Sequence, residues 1–377
     1  LSNHLHIVCF DVPFPVSHGG FFDLYYKITA LSAAGVKIHL HCFVNKRPEQ
    51  PALKTHCATV DYYPRKTGRK GFSFNCPYIV YSRRSTLLIE RLLQDEHPIL
   101  LEGIHCSFLL EDERFKGRRI LLRAHNVETL YYRALAKSSP IGLRRTYYAW
   151  ESHLLAKQEK KAGKKTLVLT VTKKDAVFFK ENLQCENCET LPVFLPYTAI
   201  EAETGIGKFC LYHGNLSIPE NEKAVLFLVK EVFNDISFPL VITGGGASAK
   251  LLKAIKGSDN VSLESDPDEQ KLSALIRNAQ IHILPSFNNT GIKLKLLHAL
   301  FKGRHCITNW EAVEGTGLEP ACYLGNTPEA MKSLVAQLFH QPFGEEEIRL
   351  REKLLLNTYN NANNAGRLMQ WLYLHYP

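Results

Sequence analysis

The sequence predicts an α/β chain of two domains, each a parallel sheet wound with helices. Three observations predict it. The chain has 377 residues, enough for two domains at roughly 100–200 residues apiece. Short apolar runs alternate with amphipathic helix-length stretches in both halves, the pattern of βαβ units. A polar, glycine-bearing stretch at 198–207, TAIEAETGIG, separates the two series. The domains predicted are therefore 1–200 and 201–360, followed by a last helix at about 360–377.

The first half opens with an apolar strand, Leu5 to Phe10, then a helix bearing Leu24, Ile28, Leu31 and Ala34, then a strand from Val36 to Phe43. Gly19 and Gly20 stand just before that helix, where their amides can approach a ligand that a side chain would block. Residues 58–82 read as short strands and basic turns, and Ser85 to Gln94 as a helix. Strands at Ile99–Glu102 and Arg119–Arg123 each run into a loop with a histidine, His105 and His125, the second beside Asn126 and Glu128. Sites of open α/β sheets form at such carboxyl-terminal loops. Each histidine can equally be a loop residue bonded to backbone. Ile141 to Ala162 is a long polar helix, Leu167 to Thr172 a strand, and Leu191 to Tyr197 a strand bracketed by prolines.

The second half restarts with a strand at Phe209–Tyr212, the loop His213 to Val225 with Gly214 and Asn215, and an apolar helix face to Val232. Leu240–Thr243 leads into Gly244, Gly245 and Gly246, a turn that also suits close approach of a nucleotide. Asp266-Pro267-Asp268 superficially resembles a metal-binding D-x-D, but Asp before an apolar helix is an N-cap signature. Ile281 to Leu284 is a strand, and a helix restarts after Gly291 and ends near Gly303. A phosphate is expected in front of Gly291. On that helix Leu294, Leu296, Leu297, Leu300 and Phe301 share one arc, and Lys295, His298 and Lys302 the opposite one. Lys293, if helical, falls in the apolar arc, where an ammonium needs a partner such as a ligand phosphate. The alternative is a solvated basic face with one snorkelling lysine.

Composition bounds the function. Hydrophobic residues at 45% and charged residues at 22% are ordinary for a soluble globular protein. No run of about 18 apolar residues and no signal-peptide layout occurs, so the sequence reads as cytoplasmic. The ten cysteines are scattered, several in strand-like runs, as reduced core thiols are. Cys185 and Cys188 form a lone C-x-x-C that reads as a surface turn rather than a zinc site. Residues 1–200 hold 29 Lys and Arg against 18 Asp and Glu, whereas 201–377 hold 17 against 19. The basic half suits the inner face of an anionic membrane or a lipid diphosphate, or is a merely solvated surface. Aromatics are not interleaved with its clusters in a stacking pattern, so nucleic acid is not expected.

The order TGIKLKLLHALFKGRHCITN, Thr290 to Asn309, resembles the signature of retaining glycosyltransferases of the GT-B fold, family four, G-x-x-x-K-x-x-E-A-x-A-x-G-x-P-V-V. Gly291, Lys295, Ala299, Gly303 and Ile307 match; the family's Glu-x7-Glu pair falls on Thr290 and His298. The Gly19-Gly20 loop with Asp23, the H-N-x-E of His125 to Glu128, and the G-N-L-S of Gly214 to Ser217 resemble further motifs of the family. The family's phosphate-binding Arg and Lys in that last loop are replaced by Asn215 and Glu220. The resemblance implies two Rossmann-like domains facing across a cleft, with the last helix packing back onto the first. It implies a metal-independent hexosyltransferase without cofactor, taking a nucleotide-diphosphate sugar in the second domain and a glycan or lipid-linked acceptor in the first, for surface polysaccharide or glycoconjugate synthesis.

By the same resemblance Lys293 and Lys295, with the amides at Gly291 and Gly19-Gly20, stabilise the leaving diphosphate, and His105 or His125 orients a hydroxyl. Gly214, Asn215, Gly244, Gly245, Thr290 and His298 line the donor, and Asn126 and Glu128 the acceptor. Two other readings share the fold: a nucleotide-sugar epimerase, and a non-catalytic sugar-nucleotide binding or assembly subunit.

Overall fold

The computed structural model describes residues 3–16 and 19–374. The chain divides into two compact units, 1–196 with 359–377, and 197–358. In the first, seven strands run parallel in the order β3-β2-β1-β4-β5-β6-β7. They are β1 (His4–Cys9), β2 (Lys37–Val44), β3 (Thr59–Pro64), β4 (Ile99–Glu102), β5 (Ile120–Ala124), β6 (Leu167–Thr170) and β7 (Cys188–Thr190). The helices between them are α1 (Gly19–Ala33), α2 (Tyr78–Tyr81), α3 (Thr86–Leu92), α4 (Glu128–Ser138), α5 (Leu143–Lys165) and α6 (Lys173–Leu183).

The second unit has six parallel strands in the order β10-β9-β8-β11-β12-β13. These are β8 (Cys210–His213), β9 (Leu240–Gly244), β10 (Val261–Ser265), β11 (Ile281–Ile283), β12 (His305–Thr308) and β13 (Tyr323–Leu324). Its helices are α7 (Pro219–Phe227), α8 (Ala249–Lys256), α9 (Glu269–Asn278), α10 (Leu294–Lys302), α11 (Trp310–Val313), α12 (Pro328–Leu338) and α13 (Glu345–Arg351), after which α14 (Asn361–Tyr373) belongs to the first unit. There α14 lies against α1, and the Tyr373 hydroxyl donates to the His4 carbonyl at 2.9 Å.

The strands read as nearly continuous apolar runs because both sheet faces are covered. Leu5, Ile7 and Cys9 of β1 enter one core with α1 and α14. Val8 enters another on the opposite face with Ile104 and Phe108. Both sheets reverse their order once, between β1 and β4 and between β8 and β11, and such switch points open a crevice at the strands' carboxyl ends.

Three expectations change. Residues 191–197 lie outside the sheet. Pro192 and Pro196 lack the amide donor a ladder needs, and side chains bind the remaining backbone: Arg123 Nη2 donates to the Pro192 carbonyl at 3.3 Å, the Phe194 amide to Asp23 at 2.9 Å, and the Leu195 amide to Asn361 at 3.1 Å. Residues 58–82 hold only β3, followed by the short helix α2. Cys185 and Cys188 are buried free thiols, not a surface turn. The Cys185 thiol donates to the Asn187 carbonyl at 3.3 Å, and Gly163 of α5 makes the room, since a Cβ there would stand 2.9 Å from Cys185 Cβ.

The long helix α5 carries polar residues all round. Its Glu151 carboxylate accepts the Tyr78 amide at the start of α2 at 3.0 Å. Glu159 accepts the amides of Glu128 (2.7 Å) and Thr129 (3.3 Å) at the start of α4. Two glutamates of one helix thus satisfy the open amides of two others. Burial pushes the Glu151 carboxyl up to about 7 and the Glu159 carboxyl up to about 8, against those hydrogen bonds.

Candidate active site

In the first unit the predicted residues gather at the carboxyl ends of β1, β4 and β5. His105 follows β4 and stacks on Phe10, with ring centroids 4.9 Å apart; His125 follows β5 and meets the same ring edge-on at 5.9 Å. Gly20 completes this group. It lies within the first turn of α1 rather than before it, and a Cβ there would stand 3.1 Å from the Phe10 ring. Gly19 is the first residue of the same helix. Gly103, at φ +80°, lets the His105 ring fold back over the backbone, because a Cβ would lie 2.5 Å from His105 Nδ1. That nitrogen is buried without a hydrogen-bond partner. Burial and the nearby Arg83 guanidinium hold the ring well below the usual histidine range.

Beneath these rings lies a buried charge network. Asp23, on α1, accepts from Lys27 Nζ (3.0 Å) and from Arg123 Nε (3.0 Å) and Nη2 (3.1 Å). Glu102 accepts from Lys27 at 2.8 Å and lies 2.9 Å from His125 Nε2, while His125 Nδ1 is 3.4 Å from Asp23. Burial alone would raise the Asp23 carboxyl, but Arg123 and Lys27 hold it well below the usual carboxylate range. Glu102, equally buried, is held down by Lys27 and His125. Asp23, Glu102 and His125 are close enough to suggest metal ligands, but Lys27 and Arg123 already supply the positive charge, so the group does not fit an ion. Asn126 hydrogen-bonds the Glu128 carboxyl, which burial pushes up to about 7.

In the second unit the loops after β8 and β9 clasp each other. A Cβ on Gly244 (φ +147°) would lie 1.8 Å from the Gly214 carbonyl, and one on Gly245 would lie 2.1 Å from Asp266. The Leu216 amide donates to the Gly245 carbonyl at 2.8 Å. These glycines therefore first serve loop-on-loop packing. Asn215 is exposed, and its carbonyl accepts from Asn221 Nδ2 at 2.8 Å. Glu220 accepts from Asn288. Asp268 caps α9, accepting the Lys271 amide at 2.7 Å.

Across the switch point, β11 leads through Thr290 and Gly291 (φ +60°) to α10. The helix starts later than expected. Lys293 is its extended N-cap, without a side-chain cap, and Lys293 Nζ donates to the Thr290 carbonyl at 2.7 Å rather than sitting in the apolar arc. Leu296, Leu297, Leu300 and Phe301 are buried as the wheel requires. The opposite arc is not a solvated face. Lys295 Nζ donates to the Tyr212 hydroxyl at 2.7 Å and Asn221 Oδ1 at 2.9 Å, and lies 4.6 Å from the Tyr212 ring centroid. Burial pushes its ammonium down to about 7, with Lys293 adding to the effect. Burial also takes His298 down to about 4, and its Nδ1 is 2.6 Å from the Tyr197 hydroxyl. Lys302 pairs with Glu201 at 3.4 Å.

Residues 207–340 match the family model described as glycosyl transferases group 1. The second unit carries a group 1 glycosyltransferase domain. Over nearly the whole chain the fold is that of GT-B glycosyltransferases. Sucrose-phosphate synthase from Thermosynechococcus elongatus superposes with a TM-score of 0.70 at 14% identity, covering 98% of this chain and 99% of that one. HepE from Anabaena, solved in complex with UDP and glucose, gives 0.63 at 10% identity and the same coverage. A UDP-forming trehalose-phosphate synthase from Burkholderia xenovorans gives 0.61 at 12%, again with 98% and 99% covered. In sequence, an uncharacterized 44.6 kDa protein in the cps region of Klebsiella pneumoniae is 27% identical over 336 residues, 82% of this chain and 84% of that protein.

Sequence reasoning missed three residues that surround Lys295. Tyr212 and Asn221 hold Lys295. His213, at the end of β8, is buried with an unpartnered Nε2, and burial together with His282, His298 and Lys295 keeps it well below the usual histidine range. The only signal for His213 was its place at a strand's carboxyl end beside Gly214. Among the described residues no helix is long and apolar enough to cross a membrane.

Proposed function

We propose that the protein transfers a hexose-type sugar from a nucleotide-diphosphate sugar to a glycan or lipid-linked acceptor, with retention at the anomeric carbon. The observation that carries the reading is Lys295. It is a desolvated ammonium beside the switch point of the second sheet, held by neutral oxygens and in no ion pair among the described residues. Burying a cation unpaired is costly, and a diphosphate at the uncapped start of α10 relieves that cost. Lys293 and the Gly291 amide supply further positive charge, while Gly214, Asn215, Gly244, Gly245, Thr290 and His298 border the donor. The bond from the anomeric carbon to the diphosphate oxygen breaks, the bond to the acceptor oxygen forms on the same face, and the acceptor proton passes to the leaving phosphate. His105 orients the acceptor hydroxyl, with Asn126 and Glu128 beside it, and His125 is fixed by Glu102 and Asp23. No metal and no cofactor enters.

The cps-region relative and the UDP named with two of the similar structures support polysaccharide assembly and a nucleotide donor. For contact with an anionic inner-membrane face we propose α5 of the first unit. Leu143 is 92% exposed and Phe74 76%. Tyr147 and Trp150 follow Leu143 at helical spacing, Phe74 meets Trp150 at 6.3 Å between centroids, and Arg144 and Arg145 flank the stripe. Such an apolar edge with basic neighbours suits a headgroup layer.

The test is thermal stabilisation by UDP, GDP, ADP and their sugars, with Lys295→Ala in parallel, followed by acceptor screening and assignment of the product anomer. One nucleotide class should raise the melting temperature only when Lys295 is present. No shift with any nucleotide at millimolar concentration would sink the reading. A second reading, a nucleotide-sugar binding subunit without turnover, is favoured by His298, which occupies a family glutamate position and is tied to Tyr197; tight binding with no transfer would establish it.

A further inference from the structure

The amino ends of three neighbouring strands in the first unit carry histidines that sugar transfer does not use. They are His4 and His6 on β1, His39 and His41 on β2, and His97 just before β4. Alternation along a strand puts the β1 and β2 pairs on one sheet face, with His6 and His39 in register. The inner pair is fully engaged: His6 Nδ1 and His41 Nε2 are 2.8 Å apart, Asp95 accepts from His6 Nε2 at 3.0 Å, and the Tyr63 hydroxyl is 2.8 Å from His41 Nδ1. The outer three are half-buried and open toward solvent. Each of them offers a ring nitrogen, and the three nitrogens lie within 4.8 Å of one another.

We propose that His4, His39 and His97 bind a divalent transition-metal ion, with zinc the expected one. His4 Nδ1 and His39 Nε2 are 2.9 Å apart. Two imidazole nitrogens at about 2.0–2.1 Å from one tetrahedral zinc lie roughly 3.4 Å apart, so seating the ion takes an opening of the His4–His39 pair by about half an ångström and a turn of the three rings, now stacked near-parallel, toward a common point. Thr59 Oγ1, 3.1 Å from His39 Nδ1, can accept that N–H and leave the Nε2 lone pair for the metal. Burial, then neighbouring charges, lower His4 and His39, which favours the neutral ring, the form that ligates. The cations nearby are Lys37, Arg91 and Arg118; Arg91 lies 3.6 Å from Asp61, and Arg118 is bound by Asp95 at 3.0 Å. Asp95 also lies 4.0 Å from His97 Nε2 and offers a carboxylate at the rim. A three-histidine set leaves one position to water. Its place at the strands' amino ends, opposite His105 and His125 on the same sheet, makes it a clamp on β1, β2 and β4 rather than part of the transfer site.

The whole chain, stripped with a chelator and dialysed, is titrated with Zn²⁺ and with Co²⁺, following heat, melting temperature and the visible absorption of cobalt. One ion per chain, a raised melting temperature and tetrahedral cobalt bands are expected, with release on acidification as the imidazoles protonate. His97→Asn alters a half-exposed loop residue and His39→Asn a strand residue. Each should weaken binding by more than the roughly 10- to 100-fold lost with an outer partner, with unchanged circular dichroism for at least the loop variant. No stoichiometric uptake at micromolar metal, or uptake that His97→Asn and His39→Asn leave unchanged, overturns the assignment.

Discussion

Two charge clusters, one in each unit, are built in opposite ways. In the first, Asp23 and Glu102 lie among Lys27, Arg123 and His125, and each of these two carboxylates meets a cation within 3.0 Å. In the second, Lys295 lies partly buried against Tyr212 and Asn221, in no ion pair among the described residues, with the Glu220 charge acting on it only from beyond ion-pair distance. A balanced network is architecture: it joins α1, β4, β5 and the segment after β7, and sets the His125 ring. A cation with no counter-charge in ion-pair distance favours an anion beside it. On the proposed reading, the difference separates a network that holds shape from a charge that the donor would neutralise.

Breaking the balanced side should produce the largest effect. Arg123→Met leaves Asp23 with Lys27 as its one permanent cation, beside the Phe194 amide and His125, and strips donors from the Leu191 and Pro192 carbonyls. A loss of about 3–5 kcal/mol is expected in urea denaturation, part of it recovered by adding Asp23→Asn. Touching the unbalanced side should do the reverse. Lys295→Met should keep or raise stability without ligand, yet lose the roughly 2.7 kcal/mol that a donor at 100 times its dissociation constant confers. With its folded pKa down at about 7, Lys295 binds fewer protons folded than unfolded between pH 7 and about 10.4. Unliganded stability therefore rises with pH in that window, and donor affinity falls above pH 7 as the ammonium deprotonates. Calorimetry in buffers of different ionisation enthalpy should show proton uptake on binding.

Glu159 sharpens the comparison from a third side, as a buried carboxyl with amides but no cation. Its pKa is raised to about 8, so its contribution is full below about 4.3 and lost as pH rises through 8. Glu159→Gln should remove a decline of order 4 kcal/mol between pH 5 and 9, read from unfolding curves across that range. The smallest effect belongs to Asp268→Ala, about 1 kcal/mol of cap energy. Nucleotide binding should be unchanged; weakened metal or donor binding would instead restore the D-x-D reading.

The strands and most helices were legible because each buried strand is a short apolar run and each amphipathic helix shows its face. Leu296, Leu297, Leu300 and Phe301 went where the wheel put them. Their neighbours Lys295 and His298 did not lie on a wet face, because Tyr212 and Tyr197, distant in sequence, cover that arc. Lys293 fell outside the helix, since its extended backbone starts α10 one residue later. Asp23 and Arg123 lie 100 residues apart, and no periodicity links them. Glu151 and Glu159 read as part of a long polar helix; only α2 and α4, abutting α5, make them caps. The histidines of β1 and β2 alternate along apolar strands, but their meeting required the register of two strands and the return of His97.

The sequence by itself determined the α/β alternation, the strand-loop-helix units and the glycosyltransferase motif around Gly291 and Lys295. These follow from local periodicity and from spacing within one helix. Tertiary structure alone decided which charges are balanced, which histidines meet, and that Lys295 is desolvated with no ion pair among the described residues. Burial and pairing are properties of side chains brought together from distant strands, and the free energy of a charge depends on those neighbours rather than on its own stretch of chain.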